Sequence, residues 1–136
     1  MQFYEINVTE SFKRNEGAEQ IDGAFEFNSW HYIVECRWRD KLTDVAQLDT
    51  LSGKLDRSGY QTMGLFFSIN GWSKHVIPTI KQNPDKRIFL MNGSDFIKVL
   101  SGEIHLVELL NEKIKKLNIK AEPYYSAEDI IKNRNN

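Results

Sequence analysis

A single cysteine, Cys36, stands in the whole sequence, so no disulfide can close within the chain. Such usage fits a reducing compartment, and a cytoplasmic location is expected. No apolar run approaches the ~20 residues that a bilayer-spanning helix needs, so no membrane partner is expected. The start, "MQFYEINVTE", lacks a basic segment followed by an apolar run, which points away from a secretory signal. An excess of charge is missing too. The formal net charge is −1, so bulk electrostatics say nothing of a nucleic-acid partner and only a local pattern could. Low-complexity segments and internal repeats are absent. What remains is 136 residues of ordinary globular composition, enough for one domain with one sizeable core.

Hydrophobic periodicity organises the chain. "QFYEINVTESF" reads as a strand, followed by a turn in "KRNEGA". "EQIDGAFEFN" reads as a second strand with a bend at Gly23. After a two-residue turn at Asn28 and Ser29, "WHYIVECRW" has the aromatic and β-branched composition of a buried third strand. Three strands joined by short turns predict an antiparallel meander. The period then changes. Val45, Leu48, Leu51 and Leu55 predict an amphipathic helix between Thr43, as N-cap, and Ser58. "QTMGLFFSIN" and "KRIFLMN" read as buried strands, with a helix from Ser73, interrupted at Pro78, between them. "SDFIKVLSG" predicts a short helix capped by Ser94. "IHLVELLNEKIKKL" predicts a longer one, with Val107, Leu110, Ile114 and Leu117 on one face. The tail from Ser126 to Asn136 is polar and is expected to fray. The fold class is therefore α/β: a mixed sheet, with an antiparallel meander followed by strands joined by helical crossovers, flanked by helices.

Within that frame two carboxylates stand out. Alternation along the third strand puts Ile33, Glu35 and Arg37 on one face and Val34, Cys36 and Trp38 on the other. Burying Glu35 is costly unless it is paired or binds a cation. Asp22 falls about where the antiparallel partner of Glu35 would lie. Two converging carboxylates with room for water are the usual protein share of a Mg²⁺ site. An adjacent cation, Arg37, suits an anionic substrate, and this combination is what phosphodiester hydrolysis needs. A structural ion pair accounts for the same residues without chemistry.

The chain resembles the Mrr-like branch of the PD-(D/E)XK restriction-endonuclease superfamily. The likeness rests on "EQIDGAFEF" and "YIVECRWRDKL". It continues through "LSGKLDRSGYQTMGLFFSINGWS" and "IFLMNGSDFIKVLSGEIHLVELLNEKIKKL", and covers roughly residues 17–125. It implies a restriction-endonuclease-like nuclease domain over 1–125, with 126–136 as a tail, and a Mg²⁺- or Mn²⁺-dependent endonuclease cutting DNA in restriction or defence. Asp22 and Glu35 would be its metal ligands, and Arg37 would occupy the position of the catalytic lysine. Two departures stand out. An arginine cannot act as a general base, and no helix precedes the first strand. Lys41 is a nearby substitute for the lysine. Glu5, Glu10 and Glu19 are available as further carboxylates. Gln47, near the start of the first helix, matches a position that often points to the site in related nucleases; a surface helix glutamine is the bland alternative.

Arg39 and Lys41 beyond the strand, with Lys54 and Arg57 on the next helix, form a local basic cluster expected to contact nucleic-acid phosphates. The three histidines lack zinc-ligand spacing. A nuclease of this kind would work alone, as a homodimer, or joined to other domains of a longer chain. The alternative expectation is a catalytically weakened nuclease fold that binds nucleic acid or a protein. A junction-resolving nuclease would share the same fold.

Overall fold

A computed structural model of the chain describes residues 6–17, 19–38, 41–84 and 86–134. The described residues form strands β1 (Asn7–Thr9), β2 (Phe12–Arg14), β3 (Glu19–Ile21), β4 (Gly23–Phe27) and β5 (Trp30–Arg37), helix α1 (Val45–Asp56), strand β6 (Thr62–Ser68), helix α2 (Val76–Gln82), strand β7 (Ile88–Asn92), and helices α3 (Gly93–Leu100), α4 (Leu106–Lys120) and α5 (Ala127–Asn133). The main sheet runs β1-β4-β5-β6-β7, and β2 and β3 pair separately. The β1–β4 and β4–β5 pairs are antiparallel, while β5–β6 and β6–β7 are parallel. The chain is thus a mixed α/β fold on an open sheet. The antiparallel part comes first, and α1 and α2 connect the parallel strands.

Side-chain alternation sorts the core into two layers. Tyr32, Met63, Leu65, Phe67, Phe89 and Met91 face one side of the sheet, under Leu109, Leu110 and Leu117 of α4 and Ile130 of α5. Ile33, Phe66, Ile88 and Leu90 face the other, against Leu48, Leu51 and Leu55 of α1 and Ile80 of α2. Helix α1 sits close because β6 carries Gly64 beneath it. A Cβ there would lie 3.0 Å from Leu55 Cδ1 and 3.1 Å from Leu51 Cδ2. This approach holds the α1 face, including Lys54, down against the strands.

Several boundaries differ from the expectations for local reasons. The first strand-like stretch divides into β1 and β2, and β2 pairs with β3 across a turn in which Asn15, Glu16 and Gly17 all have positive φ. Helix α1 is capped by Asp44, not Thr43. Asp44 Oδ1 accepts from the Val45 amide, and Gln47 Oε1 accepts from the Asp44 amide at 3.0 Å. Thr43 instead donates its hydroxyl to Ser68 Oγ at 2.8 Å. Helix α2 begins at Val76, so Pro78 lies in its first turn, where no intrahelical amide bond is lost. Asn92, paired with Asp95, caps α3 in place of Ser94. The tail is corrected outright. Residues Ala127–Asn133 form α5, capped by Ser126, with Ala127 and Ile130 buried in the core.

A buried polar cluster ties this C-terminal region down. Lys113 Nζ donates to Leu90 O at 2.8 Å and Tyr125 O at 2.7 Å, and meets Asp95 Oδ2 at 3.0 Å. Asp95 also accepts from the Ala127 amide at 2.8 Å. Burial holds the Lys113 ammonium down to about 8, against the opposing pull of Asp95.

Candidate active site: two carboxylates and two cations

The site forms at the end of β5, the middle strand of the main sheet. The register Gly23↔Val34 ends the β4–β5 ladder one residue short of Asp22. Asp22 lies in the break between β3 and β4. It is thereby released from strand pairing and turns its carboxylate back to β5, where Oδ2 accepts the Cys36 amide at 3.2 Å. Glu35, paired in register with Phe66, is only 1% exposed. Arg37, two residues on, shares its face. Its Nη2 lies 3.4 Å from Glu35 Oε2 and its Nη1 lies 3.9 Å from Asp22 Oδ2. One guanidinium therefore lies within 4 Å of both carboxylates.

The fourth member was expected elsewhere. Lys54 does not stand on the surface as a phosphate contact. It is buried on α1 and its Nζ forms an ion pair with Glu35 Oε1. The reason is helical geometry: Lys54 follows Leu51 by three residues, so it shares the core-facing stripe. An ammonium on that stripe stays charged cheaply only against a carboxylate, and Glu35 is the one beneath it.

The two cations are held differently. Lys54 is enclosed, with 11% of its side chain exposed. Arg37 is 29% exposed and donates one hydrogen bond, from Nη1 to Cys36 O at 3.1 Å. Its contacts to the carboxylates are beyond ordinary hydrogen-bond length. Its guanidinium carbon also lies 6.0 Å from the Phe66 ring centroid, the outer limit for a cation–ring contact. Asp22 opens to solvent along an apolar groove of about 390 Å³ between Val8, Cys36, Trp38 and Leu106. Burial, reinforced by Asp22 and Glu35, pushes the Cys36 thiol up, away from the thiolate form.

The donor set suits a hard divalent cation. Asp22 and Glu35 present carboxylate oxygens, and Mg²⁺ is commonly held by one or two carboxylates, with water and phosphate oxygens completing its shell. No group of three or more His, Cys, Asp or Glu side chains gathers among the described residues, so the protein's share would be these two. The cation within 4 Å of both is the loosely held guanidinium, whereas the enclosed lysine pairs with Glu35.

The other expected residues scatter. Gln47 spends its side-chain oxygen on the α1 cap. Arg57 hydrogen-bonds Glu19, which Arg14 also grips, so this carboxylate is closed by two arginines. Burial raises the Glu19 carboxyl, but the bonds from Arg57 and Arg14 outweigh it and hold the group below its usual value. Lys41 is exposed beyond the strand end, Glu10 is exposed, and Arg39 and Glu5 lie outside the described residues. His31, His75 and His105 are exposed and separate. No described helix is long and apolar enough to cross a membrane. Compared with protein families, with characterised proteins and with solved structures, the chain matches none.

Proposed function

We propose that the chain is a Mg²⁺-dependent phosphodiesterase acting on DNA, an endonuclease domain of the restriction or defence type that its motifs resemble. The observation carrying this reading is the cluster of Asp22, Glu35, Arg37 and Lys54, drawn from three separate parts of the chain to the end of the central strand. A core ion pair needs one carboxylate and one cation. A second carboxylate and a second cation, both partly open to solvent, are surplus to that need and useful for chemistry on a phosphate.

Asp22 and Glu35 would hold the cation. Bound there, it would supply an activated water and positive charge for the developing oxyanion. Lys54 fixes the Glu35 carboxylate from the core side, so Oε2, which faces Arg37, keeps one orientation. Arg37 stays protonated and cannot serve as a base. Its role is to place fixed positive charge beside the phosphate as negative charge builds up, aided by the low-dielectric wall of Phe66.

One observation favours a second reading, a nuclease fold reduced to binding nucleic acid or protein. Both Glu35 oxygens face cations, and the residue is 1% exposed. Plasmid DNA incubated with the purified protein in Mg²⁺ or Mn²⁺ separates the two. Nicking that needs the metal and disappears in Asp22→Ala is the expected result. DNA binding without cleavage in either protein would favour the second reading. Cleavage that survives in Asp22→Ala would remove Asp22 from the site.

A further inference from the structure

The formal charges of the cluster cancel: Asp22 and Glu35 against Arg37 and Lys54. A divalent cation joining the same carboxylates would stand beside a guanidinium already facing both, and like charges at that range oppose each other. One cation has to yield. Lys54 lies on the core-facing side of α1 with 11% of its side chain exposed, and it cannot leave without stripping buried Glu35 of its ion pair. Arg37 is exposed along 29% of its side chain, and one hydrogen bond of 3.1 Å and two contacts of 3.4 and 3.9 Å hold it.

We propose that Arg37 is the resident counter-ion of the carboxylate pair, and that a substrate phosphodiester draws it away. The divalent cation and the anionic substrate then enter the site together, each weak without the other. This inference rests on reading Asp22 and Glu35 as cation ligands. The chemistry of the side chain supports it: a guanidinium is a planar fork that matches phosphate oxygens in two parallel bonds, stronger than its present long contacts. In its present position it also covers the carboxylates against stray cations while no substrate is bound. By linkage, whatever factor the substrate adds to cation affinity, the cation adds to substrate affinity.

The test is Mn²⁺ binding to the full chain, followed by electron paramagnetic resonance. It is run with and without a duplex oligonucleotide of phosphorothioate backbone, subtracting Mn²⁺ bound by the duplex alone. The wild type should bind Mn²⁺ weakly alone and about tenfold or more tightly with the duplex. Arg37→Gln, which keeps a hydrogen-bonding group but loses the charge, should bind Mn²⁺ several-fold more tightly than wild type without DNA and lose most of the coupling. Equal DNA-free affinity in the two proteins, with binding lost in Asp22→Asn, would overturn the inference and leave the ligand assignment standing. Binding that Asp22→Asn does not weaken would overturn both. Should Arg37→Gln fail to fold, the wild type decides alone: duplex affinity must rise with Mn²⁺ by the same factor, and the absence of that rise overturns the proposal.

Discussion

Replacing Lys54 with methionine is the most informative perturbation of this structure. Methionine matches the length of the lysine stem and suits the buried face of α1, so packing changes little. What is lost is the ammonium on Glu35 Oε1. Glu35 is 1% exposed, and its other oxygen lies 3.4 Å from Arg37 Nη2. Breaking a buried pair from one side costs about 3–5 kcal/mol, because the remaining charge stays buried without a partner. For a domain of this size that is a drop on the order of 10–20 °C in melting temperature. The double variant Glu35→Leu with Lys54→Met should return to within ~1 kcal/mol of the parent or exceed it, since apolar groups of similar volume often replace a buried pair without loss. It should also cut no DNA. That pattern, stability regained and activity gone, marks charges kept for chemistry and not for the fold. Thermal and urea melts of the four proteins complete the cycle. A single Lys54→Met protein melting with the parent would mean that the pair is not formed, and the account of the site built on it would fall.

Arg37→Lys should preserve or raise cleavage, because the charge remains, whereas Arg37→Ala should lower the rate by ~10²–10³ with a modest change in melting temperature; equal rates in parent and alanine variant would end its role. Lys113 carries a pH signature. Its folded value of about 8 lies below the ordinary lysine value of 10.5, so the unfolded chain binds more protons between these values and Lys113 contributes stability as pH rises through that window. The stability difference between wild type and Lys113→Met should therefore shift in favour of wild type, by up to roughly 3 kcal/mol, from pH 8 upward. Taking the difference removes the opposing alkaline loss from buried Tyr32, pushed up to about 12. A flat difference curve would deny the burial of the ammonium. Ile130→Ala should cost ~2–5 kcal/mol in a urea melt if α5 is part of the core, and nearly nothing if the tail is loose.

Much of this was legible because period-two patterning leaves little choice. The two faces of β5 followed from "WHYIVECRW" alone, and its antiparallel pairing with β4 followed from the two-residue hairpin at Asn28 and Ser29, both at positive φ. The parallel pairing followed from helices long enough to cross over. Two kinds of information were hidden. Caps were ambiguous wherever two capable residues adjoin. Thr43 and Asp44 both qualify, and the tertiary bond from Thr43 to Ser68 decided between them. Charges on apolar stripes were harder to read. Lys54 and Lys113 occupy core-facing helical positions, yet a lysine is read as solvated until its carboxylate is known. For the same reason the polar letters of the tail masked Ala127 and Ile130, which share one face of α5. Glu35 alone signalled that a buried cation had to exist, but not which one.

The crossover through α1 has a consequence for how the chain acquires its structure. Strand β5 meets β4 through a two-residue hairpin, a local event, but meets β6 only after α1 has been laid across the sheet. Non-local parallel pairing of this kind is intrinsically slow. The helix that closes that loop is the one that carries Lys54. Until it docks, β5 bears a carboxylate that the forming interior cannot accept; when it docks, the neutralising charge arrives with the covering surface. Topology and electrostatics are thus satisfied in one step. If docking of α1 limits folding, its barrier would carry a charge-neutralisation term, and the folding rate should respond to dissolved salt through screening of that approach.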